Sequence, residues 1–247
     1  MQASVRAIKG GLMLYDAAES GKIHDHVFAP AYWRARNALS EPLGGRGAAW
    51  RITAGDIDWV LRFYRRGGLP GKVLLDWYLF TGMDRSRPFL EWHLLKDMHD
   101  AGLPVPRPVA ARVIRYGLGY RGAIITATVP GESLARLLIE ERLTAADWQA
   151  TGYWIRKFHD SGVWHADLNA HNVLIQQAEL SSKVHLIDFD RGRFRPQDTA
   201  WREGNLSRLR RSLAKVAPDR EALIEAGWAE LRKSYDEPWE YQHRNTS

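Results

Sequence analysis

Val163-Trp164-His165-Ala166-Asp167-Leu168-Asn169-Ala170-His171-Asn172-Val173-Leu174-Ile175 is the most informative stretch of the 247-residue chain. It begins polar and ends in an aliphatic run that reads as a strand. Asp167 and Asn172 are five residues apart on the polar part, and thirteen residues after Ile175 comes Asp188, closing a second strand-like run, Val184-His185-Leu186-Ile187. Two strands of that length form a hairpin that returns Asp188 to the neighbourhood of Asn172. One Asp, one Asn and a second Asp then converge on one spot.

That trio suits phosphoryl transfer from a magnesium nucleotide. Magnesium takes oxygen ligands and keeps several waters, so one carboxylate and one amide oxygen suffice beside the nucleotide phosphates. A separate carboxylate must lie near the acceptor hydroxyl to orient it and take its proton. A polar hairpin whose Asp and Asn merely cap turns would account for any one of these residues, but not for all three in this order. His159, His165, Asp167, His171, Asp188 and Asp190 also suggest a two-metal hydrolase. However, His171 has no histidine partner at helical spacing, and a hydrolase does not require the β-rich segment that precedes the block.

That segment supplies the first lobe. Ala48-Ala49-Trp50-Arg51-Ile52-Thr53 and Ile57-Asp58-Trp59-Val60-Leu61-Arg62-Phe63-Tyr64 flank the turn signal Ala54-Gly55-Asp56 and read as an antiparallel hairpin. A helix follows with Pro88 in its first turn and Leu90, Leu94 and Met98 at four-residue spacing. The run Leu103-Pro104-Val105-Pro106-Arg107-Pro108 reads as a rigid connector, neither helix nor central strand. Strands are expected over Ala110 to Ile114 and Ala123 to Thr128, and Val129-Pro130-Gly131 marks a lobe boundary. Thr144 with Asp147 resembles a capping box for a helix running toward His159, and the tail from Trp201 to Tyr235 is helical with a break near Pro218. The expected fold class is α+β, with a β-rich N-lobe over residues 1–129 and a mainly helical C-lobe over 130–247.

Composition narrows the classes further. With no cysteine there is no disulfide framework, thiolate nucleophile or Cys-ligated metal site. No stretch approaches the roughly 18 uncharged apolar residues of a membrane span, and the N-terminus lacks the long apolar core of a secretory signal. The formal charge is +6, and the 35 basic residues divide into 27 Arg and 8 Lys. Arginine forks suit phosphates and carboxylates, although a GC-rich genome would give the same excess. No nucleic-acid motif accompanies the arginines, so nucleic acid is not an expected partner.

His165-Ala166-Asp167 to Asn172, followed by Ile187-Asp188-Phe189, resembles the protein-kinase-like superfamily. The resemblance implies that Asp167 is the catalytic base, that Asn172 and Asp188 hold Mg2+, and that His165 props the loop. It assigns Gly44, Gly45 and Gly47 to a loop over the ATP phosphates. Kinases carry a Lys on the third strand, as in V-A-I-K. The matching stretch here, Trp59-Val60-Leu61-Arg62, gives that role to Arg62, with Glu91 as its helix partner and Lys72 as a competitor for the phosphate contact. Asp188-Phe189-Asp190 replaces D-F-G, and no A-P-E signature follows, which argues for a small-molecule or lipid kinase over a regulated protein kinase.

Longer strings narrow the resemblance. Leu61-Arg62-Phe63-Tyr64-Arg65-Arg66-Gly67-Gly68, Tyr78-Leu79-Phe80-Thr81-Gly82, Val105-Pro106-Arg107-Pro108, His165 to Asn172 and Leu186-Ile187-Asp188-Phe189-Asp190-Arg191-Gly192 resemble the 3-deoxy-D-manno-octulosonic acid (Kdo) kinase family. That family implies ATP-dependent phosphorylation of the 4-hydroxyl of Kdo on a lipid A precursor. The setting it implies is the cytoplasmic face of a Gram-negative inner membrane, against an anionic surface. A heptose kinase of the lipopolysaccharide core and an atypical protein or small-molecule kinase are the alternatives. Arg65, Arg66, Arg85, Arg87, Arg191, Arg193 and Arg195 are the candidates to meet an acceptor rich in phosphate and carboxylate.

Overall fold

The computed structural model describes residues 1–40, 42, 49–64, 78–178 and 182–237. The described residues divide into two compact units, those within Met1–Ala101 and Pro106–Thr128, and those within Gly102–Val105 and Val129–Ser247. The stretch 102–105, placed in the first lobe by the sequence reading, therefore groups with the second unit. Both units combine helices with antiparallel strands, so the architecture is α+β as expected.

The first unit opens with a hairpin of β1 (Ala3–Ile8) and β2 (Gly11–Asp16), whose turn uses Gly10 at φ +79°. A short helix α1 (Pro30–Arg34) follows, then β3 (Ala49–Ala54), β4 (Ile57–Phe63) and β5 (Tyr78–Leu79). Helix α2 (Arg87–Asp100), β6 (Pro108–Tyr116) and β7 (Gly119–Ala127) complete the unit. The strands form one antiparallel sheet in the order β1-β2-β6-β7-β4-β3, with β5 pairing β7. Met13, Phe28, Trp33, Ile52, Trp59 and Ile125 are core residues of this unit.

Two local expectations fail here, for clear reasons. Leu90 was expected on the buried stripe of α2 but is 55% exposed. Leu94 and Met98 are buried as expected, but Phe89 takes the place of Leu90, and Trp92 and Leu95 widen the face that α2 packs on β6 and β7. Pro108, assigned to a connector, begins β6, a central strand. Its register irregularity falls between Pro108 and Ala110, and the first residue of a strand is where a missing N–H is tolerated.

The second unit runs β8 (Glu132–Ser133), α3 (Leu134–Ile139), α4 (Ala145–Asp160), β9 (Val163–Trp164), β10 (Val173–Gln176), β11 (Lys183–Leu186), β12 (Arg193–Phe194), α5 (Thr199–Val216) and α6 (Glu221–Asp236). Strands β11, β10 and β8 form one small sheet, and β12 pairs β9 in another. Helix α4 starts at the capping box of Thr144 and Asp147, as its sequence indicates. It packs on α6 through glycines from both sides. A Cβ on Gly152 would stand 2.1 Å from the Leu231 carbonyl oxygen, and one on Gly227 would stand 2.1 Å from the Trp148 ring.

Candidate active site

The hairpin of β10 and β11 pairs Val173 with Leu186. One step further, the Ile187 N–H donates to the Asn172 carbonyl at 3.0 Å. Asp188 is therefore the next residue after Asn172's partner. Asp188 leaves the strand with φ +60°, a left-handed turn that Asp tolerates better than most residues.

His165 connects the two ends of this arrangement. It is buried, and its Nδ1 accepts the Asp167 N–H at 3.1 Å while its Nε2 contacts the Ile187 carbonyl at 2.9 Å. A ring nitrogen that accepts at Nδ1 must carry its proton on Nε2, so the tautomer follows from the two bonds. Burial pushes His165 below its ordinary pKa, opposed by the Ile187 carbonyl and the charges of Asp188 and Asp167. The imidazole is a neutral strut that fixes Asp167 relative to the residue before Asp188. Phe189, fully buried, packs against its ring at 4.6 Å between centroids.

Asp167 itself presents its carboxylate to solvent, with 65% of the side chain exposed. Asn169 donates to it at 3.0 Å, and Arg208 approaches at 3.5 Å. Asn172 is buried, and its Nδ2 donates to the Asp167 carbonyl at 3.0 Å. That bond turns the amide so that Oδ1 keeps no hydrogen bond among the described residues. An amide oxygen held in this way, on a residue whose main-chain partner precedes the Asp188 carboxylate, fits the oxygen donor set that magnesium takes. No cluster of three His, Cys, Asp or Glu that could hold a metal occurs among the described residues.

Helix α5 holds the loop from the other side, and nothing in the motif announces this. Asn205, 2% exposed, accepts the His165 N–H at 3.2 Å and donates to the His165 carbonyl at 2.9 Å. Ser212 accepts the Ala170 N–H at 3.1 Å. Asn205, Arg208 and Ser212 share a helix face by their spacing. The signal in the sequence is an Asn in phase with Leu209 and Leu213, an amide where the pattern calls for an aliphatic side chain.

Asp147 is a second polar hub of this unit. Buried at the first turn of α4, it accepts from the Thr144 N–H, from Gln177 at 2.7 Å and from Ser182 at 2.5 Å. These bonds tie α4 to both ends of the segment joining β10 to β11.

In the first unit, Arg62 on β4 and Glu91 on α2 are brought together. The Arg62 Nη2 lies 2.5 and 2.6 Å from the two Glu91 oxygens. The Tyr64 hydroxyl donates to Glu91 at 2.5 Å, and Glu91 is 3% exposed. Tyr64 was missed because its role depends on a residue 27 positions away. Arg87 lies over the rings of Tyr64 and Tyr78. The glycine loop of Gly44, Gly45 and Gly47, together with Arg65, Arg66 and Lys72, lies outside the described residues.

Comparison with known proteins identifies the family. Residues 30–235 match the lipopolysaccharide kinase (Kdo/WaaP) family. A 3-deoxy-D-manno-octulosonic acid kinase of Xylella fastidiosa (strain 9a5c) is 41% identical over 231 residues, covering 93% of this chain and 91% of that protein. One from Stenotrophomonas maltophilia (strain K279a) is 44% identical over 232 residues, with the same coverage of 93% and 91%. A solved structure of WaaP in complex with acyl carrier protein aligns with a TM-score of 0.47 at 17% identity, covering 83% of this chain and 92% of that chain. The family match takes in the Arg62–Glu91 pair, the His165–Asn172 loop, Asp188 and the α5 residues that brace them, and with relatives aligned along nearly the whole length the chain belongs to the lipopolysaccharide kinase (Kdo/WaaP) family.

Proposed function

We propose that this chain transfers the γ-phosphate of ATP to the 4-hydroxyl of a Kdo sugar on a lipid A precursor. Family membership and the relatives' activity support the reading. The observation that carries it is the His165 strut, which fixes Asp167 and the Asn172–Asp188 turn in one rigid frame.

In this reading Asp167 accepts the proton of the acceptor hydroxyl. The sugar oxygen forms its new bond to the γ-phosphorus, the bond from that phosphorus to the β–γ bridging oxygen breaks, and ADP leaves. Asn172 Oδ1 and the Asp188 carboxylate are the groups that would hold Mg2+. The ion, when bound, offsets negative charge on the nucleotide phosphates. Arg62, set by Glu91, takes the phosphate-contacting role of the usual Lys. Its broad fork is a different shape from an ammonium, so the contact is bidentate in character. In this reading the first unit holds the nucleotide-phosphate groups, and the second holds the catalytic and metal-binding loops.

We also place the chain at the cytoplasmic face of the inner membrane, attached peripherally. No helix among the described residues is long and apolar enough to cross a membrane. The tip between β6 and β7 exposes Tyr116 and Leu118, the latter at 76%, beside Arg115 and Arg121. Apolar and cationic groups on one exposed tip suit an anionic lipid surface.

The test is incubation with ATP, magnesium and a mono-Kdo lipid A precursor, followed by mass spectrometry. One added phosphate on the Kdo unit is the expected product. Phosphate only on a heptosylated core run in parallel would move the activity to the heptose alternative. Asp188→Ala should lose magnesium-dependent nucleotide binding by calorimetry, and affinity unchanged with and without the metal would reject the ligand assignment.

A further inference from the structure

The segment after Asp188 is rich in positive charge that closes no ion pair among the described residues. Eight of the twelve described arginines in this unit close ion pairs with Asp or Glu. Four close none among the described residues, and three of these, Arg191, Arg193 and Arg195, follow Asp188 at alternate positions. Chance placement on a solvated face would scatter them along the helices, where most of the unit's arginines lie.

Two of the three are held in place. Strand β12 pairs β9 with Arg193 opposite Trp164, and the period-two alternation of a strand puts Arg195 on the same face. The Arg193 and Arg195 guanidinium carbons lie 5.0 and 4.5 Å from the centroid of the same Trp164 ring. The main chain beneath them is fixed as well. The Arg195 N–H donates to the Gly162 carbonyl at 2.7 Å, and a Cβ on Gly162 would stand 2.8 Å from the Arg195 carbonyl oxygen. An arginine kept only for solubility retains its rotamer freedom. These two lie against a ring instead, and they bring like charges to one indole with no ion pair to either among the described residues. An anion received between them would relieve that repulsion.

Trp164 is also the residue before His165, so the ribbon bearing these charges is continuous with the Asp167 loop. We infer that Arg193 and Arg195, braced on Trp164, receive the anionic group of the acceptor, and that a planar carboxylate on the sugar to be phosphorylated is the group they fit. Two parallel N–H bonds from a guanidinium match a carboxylate. Phosphates on the lipid are the competing source of the same charge. The inference rests on the kinase reading, because it needs an acceptor bound beside Asp167.

The test uses the full chain with ATP, magnesium and the mono-Kdo lipid acceptor. Arg193→Gln and Arg195→Gln should each raise the acceptor KM roughly tenfold and leave the ATP KM within about twofold. Arg195→Lys should recover only part of the loss, and Trp164→Leu should raise the acceptor KM while Trp164→Phe does not. Methyl esterification of the sugar carboxylate should penalise the unmodified chain, with no further penalty in the Arg193→Gln/Arg195→Gln double variant. Acceptor KM values unchanged in both glutamine variants would overturn the site. A variant effect that persists with the ester but vanishes when the lipid phosphates are removed would overturn the carboxylate assignment. If the unmodified chain phosphorylates no Kdo acceptor, the kinase reading has failed separately. The anion site is then read by calorimetric titration of free Kdo, where weaker binding to the double variant supports it and equal binding overturns it.

Discussion

His165 is held by four hydrogen bonds, each involving main chain on at least one side. Glu91, in the other unit, meets its described partners Arg62 and Tyr64 side chain to side chain. The first centre is a neutral frame whose geometry follows from the β10–β11 register and the seat of α5. The second is a buried charge whose geometry follows from its counter-charge. A frame of the first kind tolerates changes at its exposed tips and fails when a buried amide is removed. A pair of the second kind responds to charge, and losing one member takes a counter-charge from the other.

The sharpest break of that contrast is at Asp167, the exposed tip of the frame. Its described side-chain partners are Asn169 and Arg208, the latter at 3.5 Å, and 65% of the side chain is exposed. Asp167→Ala should therefore leave stability within about 0.5 kcal/mol of the original. Phosphate transfer should fall by roughly 10²–10⁴. Single-turnover assays beside urea denaturation measure both. Turnover near the original rate would remove Asp167 from the chemistry.

Asn205 tests the frame from its buried side. Asn205→Ala leaves the N–H and carbonyl of buried His165 without partners, at a cost of about 1–3 kcal/mol for each group. The turnover number should drop at least tenfold by misplacing Asp167, with nucleotide affinity nearly unchanged. Loss of nucleotide affinity in parallel with turnover would show general unfolding and not mispositioning. Asn205→Asp, which keeps the acceptor but not the donor, should fall between the two.

These residues also show what could be read in advance. The Asp167–Asn172–Asp188 spacing was legible because a short hairpin converts sequence distance directly into proximity. The Thr144–Asp147 cap was legible because it lies within one helical turn. Asn205 was not, because its partner is 40 positions away and a helix pattern reveals a face but not what that face grips. Leu90 and Phe89 differ by one step of a helix, and only the sheet packed against α2 decides which of them is buried. Arg62 and Glu91, 29 positions apart, could be paired only through the kinase resemblance.

Arg62→Ala is the corresponding break of the charged centre. It removes the described cation from a carboxylate that is 3% exposed, and a cost of about 3 kcal/mol is expected. Adding Glu91→Gln should restore part of that loss, because a neutral amide does not need the counter-charge. A double variant whose cost equals the sum of the two single costs would mean that the residues do not interact. Arg62→Lys should keep most of the stability while altering the ATP KM, which separates the structural role from the nucleotide role.

The mildest effect expected is a dependence on acid, and it concerns histidines that the fold keeps neutral. Burial lowers His159 to about 3 and His185 to about 4, and lowers His165 as well. Their ordinary value is 6.5, so below that pH the unfolded chain binds protons that the folded chain refuses. Stability is then fully present above pH 6.5 and declines as the pH falls toward the folded values, by up to about 1.4 kcal/mol per pH unit for each group. His185 isolates one of these contributions. Its Nδ1 is buried with no hydrogen-bond partner among the described residues, so an aliphatic replacement forfeits no bond at that atom. His185→Leu should change stability little at pH 7.5 and raise it relative to the original chain at pH 5.5. An equal change at both pH values, by urea denaturation, would mean that His185 does not resist protonation in the folded state.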